Sequence, residues 1–330
     1  MKLKSLFFTV VGIFLILAAN AQASGDYKVE HKNAIVLAMF GTTVEPALEG
    51  LLNIRSKINA KYPDTTVKIA FTSNIIRKKW QHRAEDPDYI KAHPEIPADV
   101  LHVKTPLATI ADLQNDGYDT IVIQPTHVSM GEEFLDLHTY VDALMNMGTF
   151  KKAKYKPFNK VALGRPALGT YGQEHPYAED IETVARIVEP DVKLAMKEKA
   201  GLVYMGHGNE FFPGNGGAYL ELASKMRRIY PDVVTAIGNV EGYPAIEDVI
   251  ELLNLYGVKK VVLKPFMIVA GDHSINDMAS EEDDSWKSIL DKNGFEVIVV
   301  KKGLGENDNF ANIFADHAAD AAKDAGIILK

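Results

Sequence analysis

Three side chains in this sequence can hold a transition metal and move protons, and each follows an apolar run. His207 lies in Met205-Gly206-His207-Gly208, Glu241 in Asn239-Val240-Glu241-Gly242, and His273 in Gly271-Asp272-His273-Ser274. Two imidazoles and a carboxylate make a nitrogen–oxygen donor set suited to a divalent first-row metal. The same groups can act as general bases, because imidazole titrates near neutrality and burial raises a glutamate. A bland role competes with each: a histidine after a strand is often held by hydrogen bonds, and a loop glutamate is often just solvated. The glycines beside His207 favour ligand contact, since they let a ligand approach the backbone. A glycine before His273 and a helix start after it favour the same there.

Other residues carry weaker signals. His127 follows the third apolar run of the first half, with ligand contact and structural bonding evenly balanced. Glu132, Glu133, Asp136 and His138 cluster at helical spacing, which reads first as a solvated face. Arg77, Lys78, Lys79 and Arg83 surround Trp80. They read as a solvated basic helix face or as a dock for substrate carboxylates, where the arginine fork is favoured. The acidic run Glu281–Asp284 favours the start of the next helix through its dipole. Gly303-Leu304-Gly305-Glu306-Asn307 lacks the lysine of a phosphate loop and is too short for a dinucleotide fingerprint.

The elements that must position these residues alternate. Continuous apolar runs at 33–40, 67–71, 119–124 and 160–164 read as buried strands, and so do 201–205, 233–237, 260–263 and 296–300. Helical spacing fills the intervals, including 45–61, 105–115, 131–147, 177–199, 246–256 and 309–325, while 86–98, with Pro87, Pro94 and Pro97, reads as an irregular loop. Lys264-Pro265 is expected to break the strand before it, and Ser274 and Asn276 to cap a helix after them. Alternating strands and helices predict parallel sheets.

The two halves also repeat. Asp119–Glu133 aligns with Lys259–His273 at a constant offset of 140, matching Gln124-Pro125 with Lys264-Pro265, Gly131 with Gly271, and Glu133 with His273. The expected fold class is α/β, with two similar domains of parallel sheet flanked by helices, residues 28–168 and 169–330, and a cleft between them.

Composition bounds the function. The 330 residues carry a formal charge of −8, which gives nucleic acid no basic surface to bind. With no cysteine there is neither disulfide nor thiolate metal site, so any metal must use His, Asp or Glu. Residues 1–23 read as a secretory signal peptide: Lys2 and Lys4, an apolar core, then Ala21-Gln22-Ala23. A periplasmic protein without stable membrane insertion after cleavage is expected.

The chain resembles the CbiK-type sirohydrochlorin cobaltochelatases, chelatases related in fold to ferrochelatase. The matching stretches are FGTT at Phe40, FTSNIIRKK at Phe71, TPLATIADLQNDGYD at Thr105, IQPTHVSMGEEF at Ile123, MGHG at Met205, VEGYP at Val240, VAGDHSINDMASEEDDSWK at Val269 and GLGEN at Gly303. The resemblance implies two Rossmann-like domains with a tetrapyrrole in the cleft. It implies Co2+ as the substrate metal, with Fe2+ or Ni2+ tolerated. It places metal binding on His207, Glu241 and His273, and deprotonation on the two histidines. Sirohydrochlorin or a related tetrapyrrole is the expected partner, contacted by His127, Arg77 and Glu133, and a homo-oligomer is compatible. An exported relative also suggests a second reading, a haem-, tetrapyrrole- or metal-binding transport or storage protein. His127, His138 or His93 would then be the haem axial ligand.

Overall fold

The structure, a computed structural model, describes residues 31–149, 152, 155–209 and 214–330. The expected signal peptide lies outside the described residues. Among those described, no helix is long and apolar enough to cross a membrane.

The first half alternates as β1 (Lys32–Met39), α1 (Leu48–Lys61), β2 (Thr66–Phe71), α2 (Asn74–Ala84), α3 (Pro87–Ala92), α4 (Ala98–Leu101), α5 (Pro106–Asn115), β3 (Tyr118–Pro125), α6 (Glu132–Met145) and β4 (Lys160–Leu163). The second half continues with α7 (Tyr177–Ile187), α8 (Glu189–Glu198), β5 (Gly201–Gly208), α9 (Gly214–Ile229), β6 (Thr235–Glu241), α10 (Ile246–Leu255), β7 (Lys260–Pro265), α11 (Asp272–Ile275), α12 (Trp286–Lys292), β8 (Glu296–Val299) and α13 (Asp308–Asp324). The strands form two parallel four-stranded sheets, ordered β2-β1-β3-β4 and β6-β5-β7-β8. The order is the same in both, as the repeat predicts. Pro125 and Pro265 both end third strands, and Gly131 and Gly271 both stand at helix N-caps.

The central strands β1, β3, β5 and β7 are buried on both faces, which is why they read as unbroken apolar runs. In β1, Ile35, Leu37 and Met39 join the central core, while Ala34, Val36 and Ala38 join an outer cluster under α5 and α6. β5 and β7 repeat this: Leu202, Tyr204 and Val262 face the central core, and Val203, Met205, Val261 and Leu263 pack under α10 and α12. The period of two puts alternate residues into different cores. The terminal helix α13, which a boundary at 168 assigns to the second half, packs on α1 and β3 of the first. Its Phe310, Phe314 and Ala318 are fully buried in the central core.

Three local expectations are corrected. Residues 86–98 are not an irregular loop throughout. Pro87 occupies the first turn of α3, where its missing N–H costs nothing, and Asp86 caps that turn by accepting from the amides of Asp88 and Tyr89 at 2.9 and 3.2 Å. Lys264-Pro265 does not break its strand: Tyr204 pairs with Lys264 and Met205 with Pro265. The proline sits at the strand's last position, and the buried ammonium of Lys264 donates to both oxygens of Asp191 at 2.7 and 2.8 Å. Ser274 and Asn276 do not cap a later helix; they lie in and just after α11, whose N-cap is Gly271.

Candidate functional site

β5 is longer than its apolar run, and its extension carries the first histidine. The strand continues through Gly206, His207 and Gly208, so His207 stands within a strand rather than beyond one. Gly206 pairs with Asn239 and Gly208 with Glu241 on β6. A Cβ at Gly206 would meet the Asn239 side chain at 2.5 Å. One at Gly208, where φ is +77°, would sit 1.9 Å from the Glu241 carbonyl oxygen. The glycines around His207 therefore serve the close approach of two strands. The Nδ1–H of His207 donates to the Gly208 carbonyl at 3.0 Å; a carbonyl only accepts, so Nε2 carries the lone pair.

The second histidine is placed by the segment between β7 and α11. Phe266 is fully buried against Tyr204 and Tyr219. The carbonyls of Met267 and Ile268 then accept from the amides of Leu304 and Gly305 at 2.8 and 2.9 Å. Gly303 lies against Ile268 and Val269, and Gly305 against Gly50 of α1, closer than any side chain would allow. The Gly303–Asn307 stretch is thus a backbone brace for the segment leading to Gly271. His273 sits in the single turn of α11. Its Nδ1–H donates to Asp277 Oδ2 at 2.5 Å, which again leaves Nε2 with the lone pair.

These two elements bring the imidazoles together, with ring centroids 4.8 Å apart and planes at 88°. Phe40, at the end of β1, lies 6.5 Å from the His207 ring and is 42% exposed, so the first half contributes to the same place. Glu241 ends β6, as the register partner of Gly208. Among the described residues, no three His, Cys, Asp or Glu side chains converge closely enough to hold a metal ion. The structure therefore brings His207 and His273 together and leaves Glu241 one strand away.

The weaker candidates separate. His127 keeps both ring nitrogens buried without a hydrogen-bond partner, and burial pushes its pKa down to about 4, so the ring is neutral at pH 7. Arg77 is held by its own helix, donating to Asn74 at 2.9 Å and Gln81 at 3.3 Å. Arg83 stacks on Trp80 and pairs with Glu45 at 2.9 Å. Glu133 is exposed on α6. His138 is exposed and pairs with Asp142 at 3.2 Å. His93 stacks on Tyr89 and pairs with Glu95, beside an open pocket of about 820 Å³. The side-chain partners of Arg77, Arg83, His138 and His93 include neither His207 nor His273.

Two residues at the site went unmarked in the sequence. Asp277 is four residues after His273, a spacing that brings side chains together on a helical turn. Phe40 belongs to a strand end noted only for its glycine and threonines.

The model of the cobalt chelatase (CbiK) family matches residues 33–323. The chain belongs to that family. It is 29% identical over 291 residues to a sirohydrochlorin cobaltochelatase of Salmonella typhimurium, covering 88% of this chain and 96% of the relative. It is 28% identical over 290 residues to the sirohydrochlorin cobaltochelatase CbiKC of Nitratidesulfovibrio vulgaris, covering 88% and 90%. Among solved structures, SirB from Bacillus subtilis with Fe3+ covers 91% of this chain and all of its own at a TM-score of 0.55 and 13% identity, a likeness of fold.

Proposed function

We propose that this chain is a sirohydrochlorin cobaltochelatase, inserting Co2+ into sirohydrochlorin without ATP. Family membership supports the reaction class. The observation that carries the site is the pair of imidazoles 4.8 Å apart, each with Nδ1–H tied to an acceptor and Nε2 left as a lone pair. The reaction has a use for such a pair. The free-base macrocycle and Co2+ give the cobalt complex and two protons: two pyrrole N–H bonds break, and all four ring nitrogens come to bind the ion. Neutral imidazole can hold the ion and can accept a proton. Glu241, at the end of β6 beside Gly208, is the third donor of this reading. A nitrogen–oxygen set of this kind also accepts Fe2+ or Ni2+. The exposed ring of Phe40 supplies an apolar seat for one edge of the macrocycle. The amino-terminal pattern of Lys2, Lys4, an apolar core and Ala21-Gln22-Ala23 supports export to the periplasm.

Absorption spectroscopy tests the reaction. Purified protein with sirohydrochlorin and Co2+ should convert the free-base spectrum to the metallated one well above the uncatalysed rate. Conversion no faster than in buffer, for Co2+, Fe2+ and Ni2+ alike, would overturn the reading.

A further inference from the structure

We infer that Asp277 is a positioning residue that holds His273 in the one tautomer and ring orientation in which it can take a proton or an ion. This deepens the proposed chelatase reading and rests on it.

A four-residue helix has little stability of its own, since nucleating a turn costs more than its single bond returns. α11 is instead held from outside. The amide of Met278, fully buried, donates to the His273 carbonyl at 2.9 Å, and the amide of Trp286 donates to the Asp277 carbonyl at 2.8 Å. Trp286 is itself buried under β6 and β7. Both ends of the His273–Asp277 pair are therefore anchored through their backbone, and the 2.5 Å contact joins two fixed points. His207 gains the same tautomer from a neutral carbonyl, whereas His273 gains it from a carboxylate. A carboxylate behind imidazole fixes the ring, raises its donor strength and offsets the charge of the imidazolium formed when Nε2 accepts a pyrrole proton. The same i, i+4 pairing recurs at His138 and Asp142 on α6, where both side chains are about half exposed. That pair is the built-in comparison: equal spacing without a second imidazole.

The test compares Asp277→Ala, Asp277→Asn, His273→Ala and Asp142→Ala in cobalt insertion, with 15N spectroscopy of the histidine rings. Asp277→Ala should lower kcat about 10–100-fold with the KM for sirohydrochlorin unchanged. Asp277→Asn should recover only part of that loss, because the amide oxygen can still accept from Nδ1–H but carries no charge to offset the imidazolium. Asp142→Ala should match wild type. In the unaltered protein the neutral ring of His273 should carry its proton on Nδ1; a neutral ring with its proton on Nε2 would overturn the inference without any variant having to fold. Asp277→Ala at wild-type rate with His273→Ala inactive overturns the positioning role alone. His273→Ala at wild-type rate overturns the placement of the site on His273, whereas unaltered protein that inserts no cobalt overturns the chelatase reading beneath it.

Discussion

His207 and His273 meet edge to face because β5 and β7 are neighbours in the second sheet. Met205 is paired with Pro265, the last residue of β7. β5 continues for three residues and β7 turns back through the braced segment to α11. Two imidazoles distant in sequence thereby reach a ring separation of 4.8 Å.

Glu241 is the proposed third donor, and its loss should act on the metal rather than on the macrocycle. Glu241→Ala should weaken Co2+ binding by at least about tenfold, a loss seen when even a group that only orients a ligand is removed. Equilibrium titration with Co2+ checks this, with sirohydrochlorin affinity expected to stay near wild type.

Gly208 is required by geometry. Its φ of +77° and the 1.9 Å from a would-be Cβ to the Glu241 carbonyl predict that Gly208→Ala pries β5 from β6 beside His207. Unfolding should show a loss of about 2 kcal/mol or more, with insertion activity falling too. Gly217 in α9 has open space around its Cβ position, and Gly217→Ala should be neutral or stabilising by up to about 1 kcal/mol.

Lys264 and Asp191 form a buried pair, with side chains 10% and 15% exposed, and Tyr204 also donates to Asp191 at 2.7 Å. Lys264→Met leaves a carboxylate without its cation and should cost about 3 kcal/mol in urea unfolding. Lys264→Met combined with Asp191→Leu should recover most of that loss.

His127 predicts an acid limb to stability. The residue is partly exposed, yet both ring nitrogens are buried, and the charge would reside on them. Burial lowers its pKa to about 4 in the folded chain, against about 6.5 when unfolded. Between these values the unfolded chain binds more protons, so stability falls as pH drops from about 6.5 to about 4. His127→Phe should flatten that stretch of a stability–pH profile by an amount on the order of 2 kcal/mol.

Much of the fold was legible because the central strands are buried on both faces and leave unbroken apolar runs. The offset linking Pro125 with Pro265 and Gly131 with Gly271 anticipated the common strand order of the two sheets. What escaped reading were features set by partners far along the chain. Lys264-Pro265 reads as a strand breaker until β5 is seen beside it and Asp191 beneath the lysine. Asp180 shows the same limit. It is buried against Arg165 and His317, bridging to α13, and no local pattern marks it. Burial pushes its carboxyl up, and the hydrogen bonds from His317 and Arg165 outweigh that and hold it below the usual range. At the site, the types and order of His207 and His273 were readable. The glycines flanking His207 were read as access for a ligand, whereas they pack against Asn239 and the Glu241 carbonyl, and Asp277 lay unremarked one helical turn from His273.

The most direct measurement is the rate of cobalt insertion by His207→Ala, His273→Ala and the double variant, each shown to unfold as cooperatively as wild type. With two imidazoles sharing one site, each single variant should lose at least about 100-fold, the scale of a positioned general base. The double variant should lose little more than the worse single one, since the residues act as a unit. Insertion at the wild-type rate by either single variant would contradict the account.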